Sequence, residues 1–247
     1  MKENTTKRAG FLDEVRGFAI LCMVVYHGAF ALEQFYKVKV PILFDDWFYY
    51  VWAVFAGSFI FISGIVCRYS RNNIKRGAQC FFLGMIVTFV TAVTAPEVAI
   101  LFGILHFLGV CMMLYGLGEK IWDKIKPKFA VPALLLICLL TWQVSDGYFG
   151  LGRFSVELPR MLYDARLLFP LGFTPNGFAS GDFFPLFPWV FLFFAGAYFG
   201  VYVKDEKCPK FFYTTRVPLL AAAGRHTIWI YLLHQPIIMG VLYLIYG

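Results

Sequence analysis

Three of the four histidines in this 247-residue chain lie inside long apolar runs, where an ionisable side chain is costly. They are His27, His106 and His234; the fourth, His226, comes just before the last apolar run. Histidine takes up and returns a proton near neutral pH because its ordinary pKa is about 6.5. The pattern predicts either general acid–base chemistry on a polar substrate inside a membrane or polar contacts between helices.

The elements that carry these histidines are predicted to be transmembrane helices. The chain is 60% hydrophobic, 20% aromatic and only 15% charged, a composition typical of membrane proteins. Apolar stretches of about 18 to 25 residues can each cross a hydrocarbon core of about 30 Å as a helix. We predict an all-α, polytopic helical bundle that forms one domain over residues 1–247, with about seven spans near 16–35, 44–67, 78–96, 98–117, 129–145, 184–203 and 225–246.

Lysine and arginine are concentrated in every second connection between these spans. Basic clusters precede the first span and follow the second, fourth and sixth, whereas the other connections balance cations with acids. The positive-inside rule then predicts a cytoplasmic N-terminus. The net charge of +7 indicates no nucleic-acid partner, because these clusters set topology and contact anionic membrane lipids.

The three histidines are predicted to lie at similar depths. A helix rises about 1.5 Å per residue, so His27 lies about 16 Å beyond Arg16 at the cytoplasmic end of the first span. The same arithmetic puts His234 about 13 Å beyond Arg225, and His106 about 18 Å from the cytoplasmic face. Three polar side chains at one depth favour a cavity or pathway.

No metal site is expected, because the acids lie almost entirely at the ends of spans and the six cysteines show no metal-ligand spacing. The longest connection, at about 145–183, is predicted to be extracytoplasmic and is rich in glycine and proline. Within it, residues 157–169 could form an amphipathic helix on the outer surface. The segment is interpreted either as a lid over an opening or as a structural loop.

The stretch FLDEVRGFAILCMVVYH, Phe11 to His27, resembles the opening of the transmembrane acyltransferase superfamily, which includes the acyltransferase-3 proteins. There, an arginine, ten residues and a histidine on the first span form the signature, which Arg16 and His27 match. Four further stretches resemble the bacterial branch related to heparan-alpha-glucosaminide N-acetyltransferase: FIFISGIVCRYSR (59–71), GILHFLG (103–109), DFFPLFPWVFLFFAGAYFG (182–200) and GRHTIWIYLLHQPI (224–237).

This resemblance implies a multi-pass acyltransferase of a bacterial plasma membrane. Acetyl-CoA or another acyl-CoA would be the donor from the cytoplasm, and the acceptor would be a hydroxyl or amine of an extracytoplasmic sugar, cell-envelope glycan or small molecule. His27 is expected to be the catalytic base, or to carry the acyl group itself. Arginine and lysine suit the phosphates of coenzyme A, and the expected ligands are Arg16, Arg68, Arg71, Lys75 and Arg76.

Four other residues are weaker candidates for substrate binding. His106 and His234 could line the path of the acyl group or the acceptor, and Gln235, beside Pro236, could donate to a bound carbonyl. Asp182 could orient an acceptor sugar or cap the helix that follows it. The acceptor, the acyl chain, the choice between direct transfer and an acyl-histidine, and the existence of a homodimer stay open.

The main alternative is a small-solute or proton-coupled transporter, which would also place histidines at mid-depth. Such a protein would more often show inverted repeats and paired broken helices, and neither is visible in the sequence. A membrane scaffold without chemistry would not need three histidines at one depth. The sequence therefore favours the acyltransferase.

Overall fold

The computed structural model of the protein describes residues 8–247. In this range the chain is mostly helical with very little strand, and seven helices are long and apolar enough to cross a membrane. The all-α, seven-span prediction is confirmed. Lys2 and Lys7, which contribute to the predicted orientation, lie outside the described residues. The cytoplasmic N-terminus, the single domain and the extracytoplasmic position of residues 145–183 stay predictions.

The helices are numbered in chain order. They are α1 (Gly10–Tyr36), α2 (Asp46–Cys67), α3 (Asn73–Thr94), α4 (Ile104–Trp122), α5 (Pro127–Leu140), α6 (Met161–Asp164), α7 (Leu186–Lys204), α8 (Pro218–Arg225) and α9 (Thr227–Tyr246). One antiparallel hairpin pairs β1 (Tyr148–Phe149) with β2 (Val156–Glu157). The chain divides into two compact units, residues up to Ile62 with Val203–Gly247, and Ser63–Tyr202.

In the first unit, α1 packs backbone to backbone against the short helix α8. A Cβ atom added to Gly17 would lie 1.9 Å from the Leu220 carbonyl oxygen, and one added to Gly224 would lie 1.8 Å from that of Asp13. Only glycine permits such an approach. Helix α8 was not predicted, because eight residues in a basic connection are too short for a span and give little periodic signal.

In the second unit, α3 and α4 pack along a row of glycines. A Cβ atom on Gly77 would lie 2.7 Å from the Gly109 carbonyl oxygen, and one on Gly109 would lie 2.7 Å from the Phe81 backbone nitrogen. Small residues let transmembrane helices approach closely enough for their main chains to touch. This contact positions α3, which begins within the basic 68–76 connection, and α4, which carries His106.

The predicted starts of three spans differ from the observed helices by several residues, and α1 begins at Gly10 rather than near residue 16. Helix α3 begins at Asn73 rather than near residue 78, because the Asn72 side chain accepts from the Lys75 backbone nitrogen at 2.8 Å and caps the helix. Helix α4 begins at Ile104 rather than residue 98. The apolar segment before it instead joins the 180–184 segment through a bridge between Phe102 and Phe183.

The amphipathic helix predicted over 157–169 is also wrong. Glu157 pairs with Tyr148 in the hairpin, and helix α6 is one turn long. Helix α6 ends because Ala165 takes an extended conformation (φ −79°, ψ 94°), after which residues 166–171 form a tighter 3₁₀ turn. The connection between α5 and α7 is thus built from short turns.

Candidate active site

The imidazole rings of His27 and His234 lie side by side in the first unit. Their centroids are 5.1 Å apart, with ring planes tilted by 51°. His27 comes from the middle of α1 and His234 from α9, and His234 is 9% exposed. Two of the three histidines predicted to lie at one depth are therefore in contact.

The proton position on His234 is fixed by its own helix. The Nδ1 atom lies 2.5 Å from the Tyr231 carbonyl oxygen, one turn earlier on α9. Because a carbonyl oxygen only accepts, Nδ1 carries the hydrogen, and Nε2 is the acceptor nitrogen of the neutral ring. A hydrogen bond from Nδ1 to a carbonyl oxygen makes Nε2 a better acceptor.

Gln235 follows directly on α9 and has a buried amide oxygen, Oε1, with no hydrogen-bond partner among the described residues. The next residue, Pro236, lacks a backbone N–H, so the carbonyl one turn earlier loses its helical partner. A buried amide without a partner costs free energy, which a bound molecule can recover by donating to it. The buried oxygen indicates an acceptor role for this atom, and the donor role expected for the amide nitrogen stays a prediction.

Arg16 links the start of α9 to α1. Its Nη2 atom donates to the Thr227 hydroxyl at 3.0 Å, and its guanidinium carbon lies 5.7 Å from the centre of the Phe59 ring on α2. Thr227 is the first residue of the helix that carries His234. The arginine of the signature therefore helps to hold the histidine-bearing helix against α1, eleven residues before His27 on the same helix.

His106 lies in the second unit, in the first turn of α4, and is 2% exposed. Its ring stacks on Phe102 at 5.7 Å, meets the edge of Phe81 at 5.3 Å and fills the space over Gly84. Thr88 donates its hydroxyl to the Ile100 carbonyl at 2.5 Å and accepts from His106 Nε2 at 3.5 Å. These contacts support a helix-packing role, and a place in a substrate path stays a prediction.

Asp182 caps a different helix from the one expected. Its Oδ2 atom accepts from the backbone nitrogen of Ile104 at 3.1 Å, at the start of α4, rather than capping α7. The sequence could not reveal this partner, because it lies 78 residues away. The bond brings Asp182 close to the turn of α4 that carries His106.

Four of the five expected phosphate ligands lie in the second unit, where they fall into two groups. Arg68 is engaged: its Nε atom donates to the Ala197 carbonyl at 2.8 Å, its Nη1 atom pairs with Asp123, and its guanidinium lies between the rings of Tyr115 and Tyr198. Its side chain is only 11% exposed. In contrast, Arg71, Lys75 and Arg76 are exposed around the first turn of α3.

Sequence reasoning missed two residues that help to position α1, α8 and α9 in the first unit. Glu14 is 7% exposed, and its carboxylate accepts the backbone N–H groups of Arg216 and Val217 at the start of α8. Thr227 receives the hydrogen bond from Arg16. An acid beside the start of an apolar run was the available signal for Glu14, but no local pattern indicated its partner.

Among residues 8–247, no group of three or more histidine, cysteine, aspartate or glutamate side chains is arranged to hold a metal ion. The sequence left two interpretations of these histidines, proton chemistry or a packing contact between helices. The histidine tautomer and the unpartnered amide beside it favour proton chemistry on a polar molecule.

A comparison with protein families matched residues 8–236 to the family described as heparan-alpha-glucosaminide N-acetyltransferase, catalytic. The match covers nearly the whole chain and includes every candidate residue described above. Comparisons with curated proteins and with solved structures found no match.

Proposed function

The chain belongs to the heparan-alpha-glucosaminide N-acetyltransferase catalytic family, and on that premise we propose that it transfers an acetyl group from cytoplasmic acetyl-CoA to an extracytoplasmic acceptor. The acceptor carries a hydroxyl or amine and is a sugar, a cell-envelope glycan or a small molecule. The proposed location is a bacterial plasma membrane. Family membership favours this activity over the transporter that the histidines alone left open.

The observation that carries the proposal is the contact between His27 and His234. The His234 tautomer offers an Nε2 lone pair, which can accept the N–H of the His27 ring. The opposite nitrogen of His27 is then the unprotonated one and acts as the general base. In this arrangement His27 is catalytic, and His234 is a positioning residue that selects the His27 tautomer.

The proposed transfer step needs no further reagent. His27 removes the proton from the acceptor hydroxyl or amine as its oxygen or nitrogen attacks the thioester carbonyl. The new carbon–oxygen or carbon–nitrogen bond forms, the carbon–sulfur bond breaks, and the coenzyme A thiolate takes the proton back from His27. The buried Gln235 amide oxygen accepts a hydrogen bond from another hydroxyl or N–H group of the acceptor molecule and orients it.

The donor's phosphates are assigned to the exposed cations around the start of α3. Arg71, Lys75 and Arg76 lie on the side predicted to be cytoplasmic. They lie around the N-terminus of α3, and the partial positive charge at this end of the helix also attracts an anionic ligand. Separately, in the first unit, Arg16 is proposed as a donor ligand because it is the arginine of the superfamily signature. Arg68 is assigned a structural role, because protein groups already surround its guanidinium.

The test begins with calorimetric binding of acetyl-CoA to detergent-purified protein. We expect binding to be kept in His27→Gln and lost or strongly weakened in Arg16→Ala. The matched control is Thr227→Val, which removes the 3.0 Å bond but keeps the Arg16 charge. Failure of the intact protein to bind acetyl-CoA would contradict the proposed function.

Catalysis is then followed as coenzyme A release with glucosamine, which offers both kinds of acceptor group. General base catalysis contributes about 10²–10⁴-fold, so His27→Gln should lose that much activity. His234→Ala should shift the pH profile of the rate, whereas the exposed His226→Ala should change nothing. Exchange of labelled coenzyme A into acetyl-CoA without acceptor would reveal an acyl-histidine in place of direct transfer.

A further inference from the structure

The connection between α5 and α7 exposes several large apolar side chains. Phe154 and Leu167 are each 89% exposed, and Met161 is 76% exposed. Monomeric proteins rarely leave such side chains in water as a group, and exposed apolar groups of this kind mark an interaction surface. These three residues are called the apolar tips below.

Each apolar tip directly follows an arginine in the sequence. The three pairs are Arg153 with Phe154, Arg160 with Met161, and Arg166 with Leu167, and all three arginines are exposed. A guanidinium binds phosphate oxygens through a fork of N–H groups, while the neighbouring apolar side chain favours hydrocarbon. The repeated pair matches the boundary of a phospholipid bilayer, where phosphate and hydrocarbon lie next to each other.

The segment is fastened to the end of a membrane span. The Gly150 nitrogen donates to the Leu140 carbonyl at 2.8 Å, the Leu158 nitrogen donates to the Gly147 carbonyl at 2.8 Å, and the Tyr163 hydroxyl donates to the Val144 carbonyl. Burial raises the pKa of the Tyr163 phenol, with Asp146 adding to the rise, so this donor stays protonated. The fifth candidate span covers Pro127–Asp146, so these bonds hold the hairpin and α6 next to the end of that span.

We propose that residues 148–167 form an interfacial anchor that rests on the phospholipid headgroups at the membrane surface where α5 ends. The apolar tips enter the hydrocarbon boundary, and the three arginines bind lipid phosphates. Tyr148 and Phe149, both exposed directly after the span, add the aromatic contacts typical of this zone. This anchor is independent of the acetyltransferase activity.

The hairpin supplies a matched pair of positions for the test. Neighbouring residues of a strand point to opposite faces, so Val156 and Glu157 on β2 face opposite ways. The photoreactive residue p-benzoylphenylalanine is placed at 154, 156, 161 or 167, with 157 as the control. The full-length variants are reconstituted in vesicles of phosphatidylethanolamine and phosphatidylglycerol and irradiated.

We expect lipid adducts, detected by mass spectrometry, at 154, 156, 161 and 167, with yields severalfold above that at 157. Replacing the three arginines together by glutamine should lower these yields severalfold, because the phosphate contacts are lost. Equal yields at 156 and 157, or an absence of lipid adducts, would overturn the proposal. Adducts to a second copy of the chain would also overturn it and would identify a dimer interface instead.

Discussion

The Glu14 carboxylate accepts the Val217 backbone N–H at 2.7 Å, and α1 thereby caps α8 across 203 residues of sequence. Both the bond and the negative charge stabilise the start of a helix, where N–H groups lack partners. Glu14 lies two residues before Arg16, so the cap also holds the part of α1 that begins the superfamily signature.

Replacing Glu14 should destabilise the first unit. Glu14→Ala leaves two N–H groups without their acceptor, and we expect a loss of about 1–3 kcal/mol in the free energy of unfolding. Glu14→Gln keeps an acceptor oxygen and should lose less. Thermal unfolding in detergent measures both, and an Ala variant as stable as the Gln variant would contradict the capping role.

The structure predicts opposite effects for two arginines of the basic connection. Arg68→Gln removes charge-assisted bonds to the Ala197 carbonyl and Asp123, so we expect a loss of about 1.5–3 kcal/mol of stability. Arg76→Gln changes an exposed side chain and should alter stability by less than about 0.5 kcal/mol, while weakening acetyl-CoA binding. Melting temperature and calorimetric affinity separate the two; a reversed pattern would move the phosphate site to Arg68.

Gly84→Ala should destabilise the contact between α3 and α4. The added methyl would lie 2.9 Å from His106 Nδ1, in a ring already packed against Phe81 and Phe102. Overpacking of this kind costs about 1–3 kcal/mol. The control is Gly240→Ala on α9, where nothing lies within 4 Å of the added atom. Equal melting temperatures for the two variants would contradict the prediction and show that the His106 ring can move aside at no cost in stability.

Two substitutions at Asp182 separate capping from substrate binding. Asp182→Ala removes the acceptor for the Ile104 N–H and should cost about 1 kcal/mol, whereas Asp182→Asn keeps an acceptor oxygen and should unfold close to the intact protein. If the carboxylate also orients the acceptor, Asp182→Asn should raise the KM for the acceptor sugar. An unchanged KM would leave Asp182 with the capping role only.

The number and order of the spans could be predicted because bilayer thickness dictates their length. Counting rise per residue predicted similar depths for His27 and His234, but nothing in the sequence predicted that their two rings are in contact. Helix α8, the cap from Glu14 and the bond from Asp182 to Ile104 could not be predicted in this way. Each depends on partners far apart in sequence, and hydropathy carries no information about such pairs.

At the start of α4, the sequence predicts helix where the structure has none. Residues 98–103 are apolar enough to continue a span, yet their backbone groups bond to Thr91, Ser180 and the 180–184 segment instead. Composition detects that a segment avoids water, but it does not reveal whether its backbone groups are satisfied within a helix or by neighbours.

The glycine row between α3 and α4 restricts how this unit can move. A slide of one helix along the other by a single residue would bring a side chain to a point where only a hydrogen atom fits beside Gly77 or Gly109. Sliding is therefore blocked, and the two helices have to travel as one rigid body in any conformational cycle. If a substrate path in the second unit opens and closes, the movement must occur elsewhere, for example in the connections that precede α3 and follow α4.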